Sequence, residues 1–442
     1  MTTDIRSRLL VLAVAVAIAL SACGRNDAAH VAAPVPHAST APATAVPADS
    51  PWTLPVDAAQ QPDLAAAPDG SLLLSWIEQD GDMQHLRFAR WRDGAWSTPQ
   101  PIAEGVGIGN TADTPHVRQT ADGALWATWL RRIGTGHARD IVLARSTDGG
   151  RTWSTPIAVN TDGTATEHGF AVLWPEGRGA LGIAWLDGRE TSRDMHGHAM
   201  HGGGGHGAMA GMDHVAEPEH ATMLRTAVFD GALARRNESA IDATTCDCCQ
   251  TDVAVLADGP RLVYRDRAAG EIRDISIIAR HGAGWSPPQR VHDDGWRMPA
   301  CPVNGPAVAG NGRDVVVAWY TMHGDVPTVR FARSEDGGAS FGDAIHVASS
   351  PQVQGRVDVA LDAHGAWVAW ITEAGDGQDV HVAHVPSAGT RVDRERVIAR
   401  LAGRGRGTGW PRLVMAGDGL RAVWTDVANG HPMLRGALLS TR

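Results

Sequence analysis

The chain has 442 residues, of which 43% are hydrophobic, and 39 basic residues stand against 49 acidic ones for a formal net charge of −10. That is enough apolar material for a substantial core, and an acidic balance with no block of basic residues argues against nucleic acid as a ligand. No lysine occurs anywhere, so every basic side chain is an arginine, which reads as codon bias rather than mechanism.

In chain order, the first element is a targeting segment. Arg6 and Arg8 precede an apolar run from Leu9 to Leu20, and Leu20-Ser21-Ala22-Cys23 follows. A basic start, a short apolar stretch and small residues at a cleavage point make a secretory signal over 1–22, too short to span a membrane as a mature helix. Leu-Ser-Ala-Cys resembles a bacterial lipobox. The resemblance implies cleavage before Cys23, lipid on its sulfur, and, with Gly24 next, an outer-membrane anchor. Residues 23–50, rich in Ala, Pro and Thr without periodicity, read as a flexible tether.

From residue 51 to 442 the chain repeats itself seven times. Each unit has a first strand, a Gly turn such as Pro68-Asp69-Gly70 or Gly417-Asp418-Gly419, and an apolar second strand carrying an aromatic. A third and usually a fourth strand follow. The aromatics are Trp76, Trp129, Trp185, Tyr264, Trp319, Trp370 and Trp424, spaced by about 50 to 56 residues except across one insertion. That period suits a four-stranded propeller blade, so the expected fold is an all-β propeller of seven blades, with six as the alternative. The last unit lacks a fourth strand, and Pro51 to Val56 is expected to supply it and close the ring.

Two hairpins carry Ser-x-Asp-x-Gly-x-x-aromatic, at Ser146 to Trp153 and Ser334 to Phe341. They resemble the Asp-box of the sialidase (BNR) superfamily, whose members are β-propellers. Chain direction puts these hairpins on the underside, while interblade loops and the loops between second and third strands share the top.

Two top-face stretches carry candidate chemistry. An insertion in unit three, at about 191–220, contains Met195, His196, His198, Met200, His201, His206, Met209, Met212, His214 and His220. Imidazole and thioether together suit copper in either oxidation state. The second stretch is Cys246-Asp247-Cys248-Cys249, leading into unit four, with Cys301 leading into unit five. Four sulfurs from adjacent blades are expected to converge near the axis. Disulfides and a thiolate copper site, helped by His116 or His168, both stay open. A thioredoxin-like reading of Cys246-x-x-Cys249 is weaker, because no helix is there to lower the thiol pKa.

The enzymes of the superfamily use an arginine triad, a Tyr nucleophile polarised by Glu, and an Asp acid/base. No Arg lies between Pro51 and Trp76 to match the first arginine, and the catalytic set is not recognisable. Arg189, Arg265, Arg267 and Arg273, with Tyr320, nonetheless offer a cluster suited to a carboxylate or sulfate ligand. The reading is therefore an exported, lipid-anchored propeller, non-catalytic, holding a metal with copper foremost. Its alternatives are a sialidase-like glycoside hydrolase or glycan binder, and a protein-interaction scaffold with structural disulfides.

Overall fold

A computed structural model describes residues 49–134, 136–191, 221–282, 284–417 and 419–441. The signal segment, Cys23, nearly all of the tether and the His and Met residues of the insertion lie outside these residues. The described chain is all-β: seven sheets, with one 3₁₀ turn at His323–Asp325 and no helix long and apolar enough to cross a membrane.

Each sheet is one blade. Blade 5 shows the plan: Ala307–Asn311, Asp314–Thr321, Thr328–Ser334 and Ile345–Ser349 pair antiparallel in chain order. Blades 1 and 4 vary it. There a Trp sits in a short hairpin (Ala95–Trp96, Gly284–Trp285), and Gln100–Gly105 and Gln289–Arg290 form the outer pairing. The second strands are the most buried, because sheets cover both of their faces. Trp76, Trp185, Tyr264, Trp319 and Trp370 are all 0% exposed, so the aromatic period does mark the core.

The ring is closed. Each innermost strand contacts the innermost strand of the next blade, and Gly409–Ala416 of blade 7 contacts Gln60–Ala66 of blade 1. Ser50–Pro51 pairs with Leu438 and Ala437 as the fourth strand of blade 7, and the Trp52 N–H donates to Gly436 O at 2.9 Å. The seven-bladed reading and its N-terminal closure therefore hold, with closure beginning one residue earlier than expected.

Both Asp-boxes sit between third and fourth strands. The Ser146 hydroxyl donates to Asp148 and accepts the Gly150 N–H, and Asp148 also accepts the Thr152 N–H. Gly150 (φ 91°) has no room for a side chain, since a Cβ there would overlap the Phe88 ring of blade 1. Trp153 packs edge-on against the same Phe88 at 6.1 Å, so this box docks blade 2 onto its predecessor rather than merely capping its own hairpin.

Sequence-distant acids latch the innermost strands together. Asp113 accepts the Phe170 N–H (2.6 Å), Asp252 that of Val308 (2.8 Å) and Asp358 that of Leu413 (2.6 Å), each reaching into the next blade. Burial pushes the Asp113 and Asp358 carboxyls up to about 7. Native Asp113 thus keeps its proton to higher pH than the unfolded chain, whose carboxyl titrates near 3.8. Its contribution is fully present below the unfolded value and is lost as pH rises through about 7. Asp113→Asn keeps an acceptor for Phe170 and has no charge to bury. Its stability relative to wild type is expected to rise between pH 5 and pH 8.5, by about 3 kcal/mol. A difference that stays flat across that range would contradict the latch.

Candidate functional site

Strand Arg235–Thr245 delivers the cysteine loop to the top face at the junction of blades 3 and 4. The Cys246 N–H donates to Arg265 O at 3.0 Å, tying the loop to the second strand of blade 4. Gln250 pins its far end, donating to Ala112 O (2.7 Å) and accepting the Gly305 N–H (3.0 Å). A Cβ at Gly305 would overlap the Gln250 carbonyl, so glycine is what lets the loop lie against the start of blade 5.

The four sulfurs converge as expected from the topology. Cys246 Sγ lies 3.2 Å from Cys249 Sγ and 4.0 Å from Cys248 Sγ. Cys248 is bonded to Cys301, their Cα atoms 6.0 Å apart, while Cys246 and Cys249 are free thiols. The group Cys246, Cys248 and Cys249 and the group Asp247, Cys248 and Cys301 each bring their donor atoms within 4.8 Å of one another.

Two buried guanidiniums flank the sulfurs. Arg265, 1% exposed, donates to Asn304 O through Nε and Nη2 (3.0 and 2.8 Å), to Arg273 O (2.6 Å) and to Tyr320 O (2.7 Å). Arg273, 3% exposed, donates to Glu271 Oε2 at 2.7 Å, whereas its Nε and Nη1 have no hydrogen-bond partner among the described residues. The Cys249 thiol, donating to Cys246, draws the Cys246 thiol down to about 6, and the charges of Arg265 and Arg273 add to this against the cost of burial. Burial pushes Cys249 well up. Fixed arginine charge and a neighbouring thiol therefore do here what a helix N-terminus does elsewhere. The two shifts run in opposite directions, which favours one thiolate beside one thiol.

The other candidates are placed differently. Arg265 is spent on carbonyl oxygens, and Arg267 and Arg273 share Glu271. Arg189 engages Asp187 and Glu238. Tyr320 is 9% exposed, edge-on to Trp296 at 5.7 Å, with its hydroxyl 3.6 Å from Met322 Sδ. Neither proposed histidine helper joins the sulfurs. His116 Nδ1 faces Asp63 at 3.0 Å, and His168 lies in a separate buried group with Asp162 and Asp187. A concavity on the underside lies beside the blade 5 Asp-box, between Phe341 and Ser387, away from this chemistry.

Sequence reading passed over the carboxyl latches and the group at His168. Two of the three latches did leave a signal, an aspartate within the innermost strand, as Asp252 and Asp358. Nothing comparable marks Asp162 or Asp187, which only the fold brings to His168.

No family model matches the chain, and no curated protein matches it. Among solved structures it is similar to an α-L-arabinofuranosidase from Fusarium graminearum solved with an iminosugar inhibitor (12% identity, 89% of this chain and 97% of that one, TM-score 0.47). It is also similar to the Penicillium chrysogenum α-L-arabinanase bound to arabinobiose (13% identity, 88% and 98% covered, TM-score 0.46). A third is the NanB sialidase of Streptococcus pneumoniae (10% identity, 86% and 68% covered, TM-score 0.43). At this distance the likeness is one of propeller fold, and no residue role passes from these proteins to this chain.

Proposed function

We propose that this chain is an exported, non-catalytic propeller that holds one soft metal ion, copper(I) foremost, at the top-face sulfur cluster. The observation that carries the reading is the buried Cys246–Cys249 pair, its sulfurs 3.2 Å apart beside two guanidiniums that balance thiolate charge. Thiolates select soft ions such as Cu(I), and a pair of them on either side of one turn needs little reorganisation to grip one. The buried positive charge of Arg265 and Arg273 favours an anionic thiolate complex over neutral thiols. Lipid on Cys23 would anchor the chain at the outer membrane, and the His- and Met-bearing insertion would deliver ions. Both belong to the proposal, and the sulfur cluster does not depend on them.

The alternative of a glycan site built from Arg189, Arg265, Arg267, Arg273 and Tyr320 has less behind it. All four arginines already engage carboxylates or carbonyls, and Tyr320 is buried beneath Trp296.

The test is competition for Cu(I) against bicinchoninate, using full chain purified without chelator. One ion per chain is expected, and none for the Cys246→Ser/Cys249→Ser variant, with circular dichroism confirming that the variant is folded. A wild-type chain that takes up no stoichiometric ion, with all four cysteines in disulfides, removes the reading.

A further inference from the structure

The two sulfur pairs differ in what can reach them. Cys246 and Cys249 are each 1% exposed, whereas Cys248 is half-buried and Cys301 is exposed. The outer pair bonds two interblade loops across 53 residues of sequence. One of its sulfurs, Cys248 Sγ, stands 4.0 Å from the inner Cys246 Sγ. Cys248 is also the immediate neighbour of Cys249 in the loop that Cys246 and Gln250 hold in place at both ends. Freed from Cys301, it would stay within reach of an ion on the inner pair without the loop moving.

Resting on the metal reading above, we propose that the Cys248–Cys301 disulfide is a redox gate on that site. Closed, it leaves Cys246 and Cys249 as the free thiols of the cluster; opened by a small dithiol, it adds Cys248, and Cys301 after it, as further donors. The exchange balances with the dithiol as reductant. Its thiolate attacks the exposed Cys301 sulfur, the Cys248–Cys301 bond breaks, and Cys248 leaves as thiolate. The reductant's second thiolate then attacks the mixed disulfide and releases Cys301. One S–S bond is lost in the protein and one forms in the reductant, and two electrons pass to Cys248 and Cys301. Solvent exposure directs the attack to the Cys301 sulfur, since Cys248 is half-buried.

A third thiolate strengthens the grip on a soft monovalent ion, so opening the gate is expected to tighten Cu(I) binding on the order of tenfold or more. The experiment compares the full chain in two states, by competition against bicinchoninate. One is the air-equilibrated protein, in which thiol titration is expected to find two free thiols among Cys246, Cys248, Cys249 and Cys301. The other is protein reduced with dithiothreitol and freed of it under nitrogen, with four. Cys301→Ser, in which Cys248 is permanently free, is expected to bind like the reduced chain with or without reductant. Equal affinity in the two wild-type states, with one ion bound in each, overturns the gate and leaves the metal site standing. Binding in neither state overturns the metal reading itself. Four free thiols in air, or none, also rule out the gate, because the outer pair would then not be the one that cycles.

Discussion

Arg265→Met is expected to cost at least about 3 kcal/mol of stability, because one side chain donates to three buried carbonyls. The guanidinium, 1% exposed, gathers Asn304 O and Tyr320 O from blade 5 and Arg273 O from its own blade. Its face lies over the Trp296 ring, 4.9 Å from the centroid. Methionine keeps most of the apolar stem and so limits the cavity, which isolates the polar loss. Each orphaned carbonyl costs about 1–3 kcal/mol, and removing the buried charge returns part of its desolvation, so the sum is smaller than three full penalties. Guanidinium chloride unfolding measures it, and a loss below about 1 kcal/mol would contradict the assigned role. A second readout separates it from mere packing. Arg265 is one of the charges that favour the Cys246 thiolate, so the 240 nm thiolate absorbance of the variant should rise at higher pH than in wild type.

That side chain also shows where sequence reading stops. Arg265-Asp266-Arg267 reads as one charged top-face loop, yet Arg265 ends the strand Gly259–Arg265 and turns inward, while Arg267 two residues later pairs with Glu271 in the loop. Which way such a residue points depends on where the strand ends and what packs above it, here Trp296 from a loop some thirty positions on. The blades themselves were legible because their information is local: a Gly turn, an apolar strand, an aromatic, repeated at a fixed period. Even the ring closure could be read, since a missing fourth strand at one end matched an orphan strand at the other. The meeting of Cys246–Cys249 with Cys301 followed from topology alone, because propeller connectivity puts consecutive interblade loops on one face. The pairing within that cluster did not follow. It depends on loop conformations set by Gln250, Gly305 and Arg265, contacts between residues up to 138 positions apart in sequence.

Trp52→Ala is expected to destabilise the ring as severely, by about 3–5 kcal/mol, since Trp52 is where the two ends of the chain meet. Its side chain is 4% exposed, edge-on to Trp91 at 5.4 Å and tilted on Trp96 at 4.9 Å, both from blade 1. Its main-chain N–H belongs to blade 7 through Gly436, and the neighbouring Thr53 carbonyl accepts the Trp96 indole N–H at 2.9 Å. The residue thus joins the first blade to the last through packing, while the strand beside it covers the outer edge of His431–Leu439. Removing residues 1–57 should go further than the point substitution. It strips the fourth strand from blade 7 and leaves a long strand with unpaired backbone groups, a template for pairing with another chain. Thermal unfolding and light scattering read both effects: a lowered midpoint for Trp52→Ala in a chain that stays monomeric, and a lower midpoint with self-association for the truncated chain. A truncated chain that remains monomeric with an unchanged midpoint would mean that the first and last blades hold together without the N-terminal strand. Closure would then rest on the innermost strands Gln60–Ala66 and Gly409–Ala416, which contact each other independently of it.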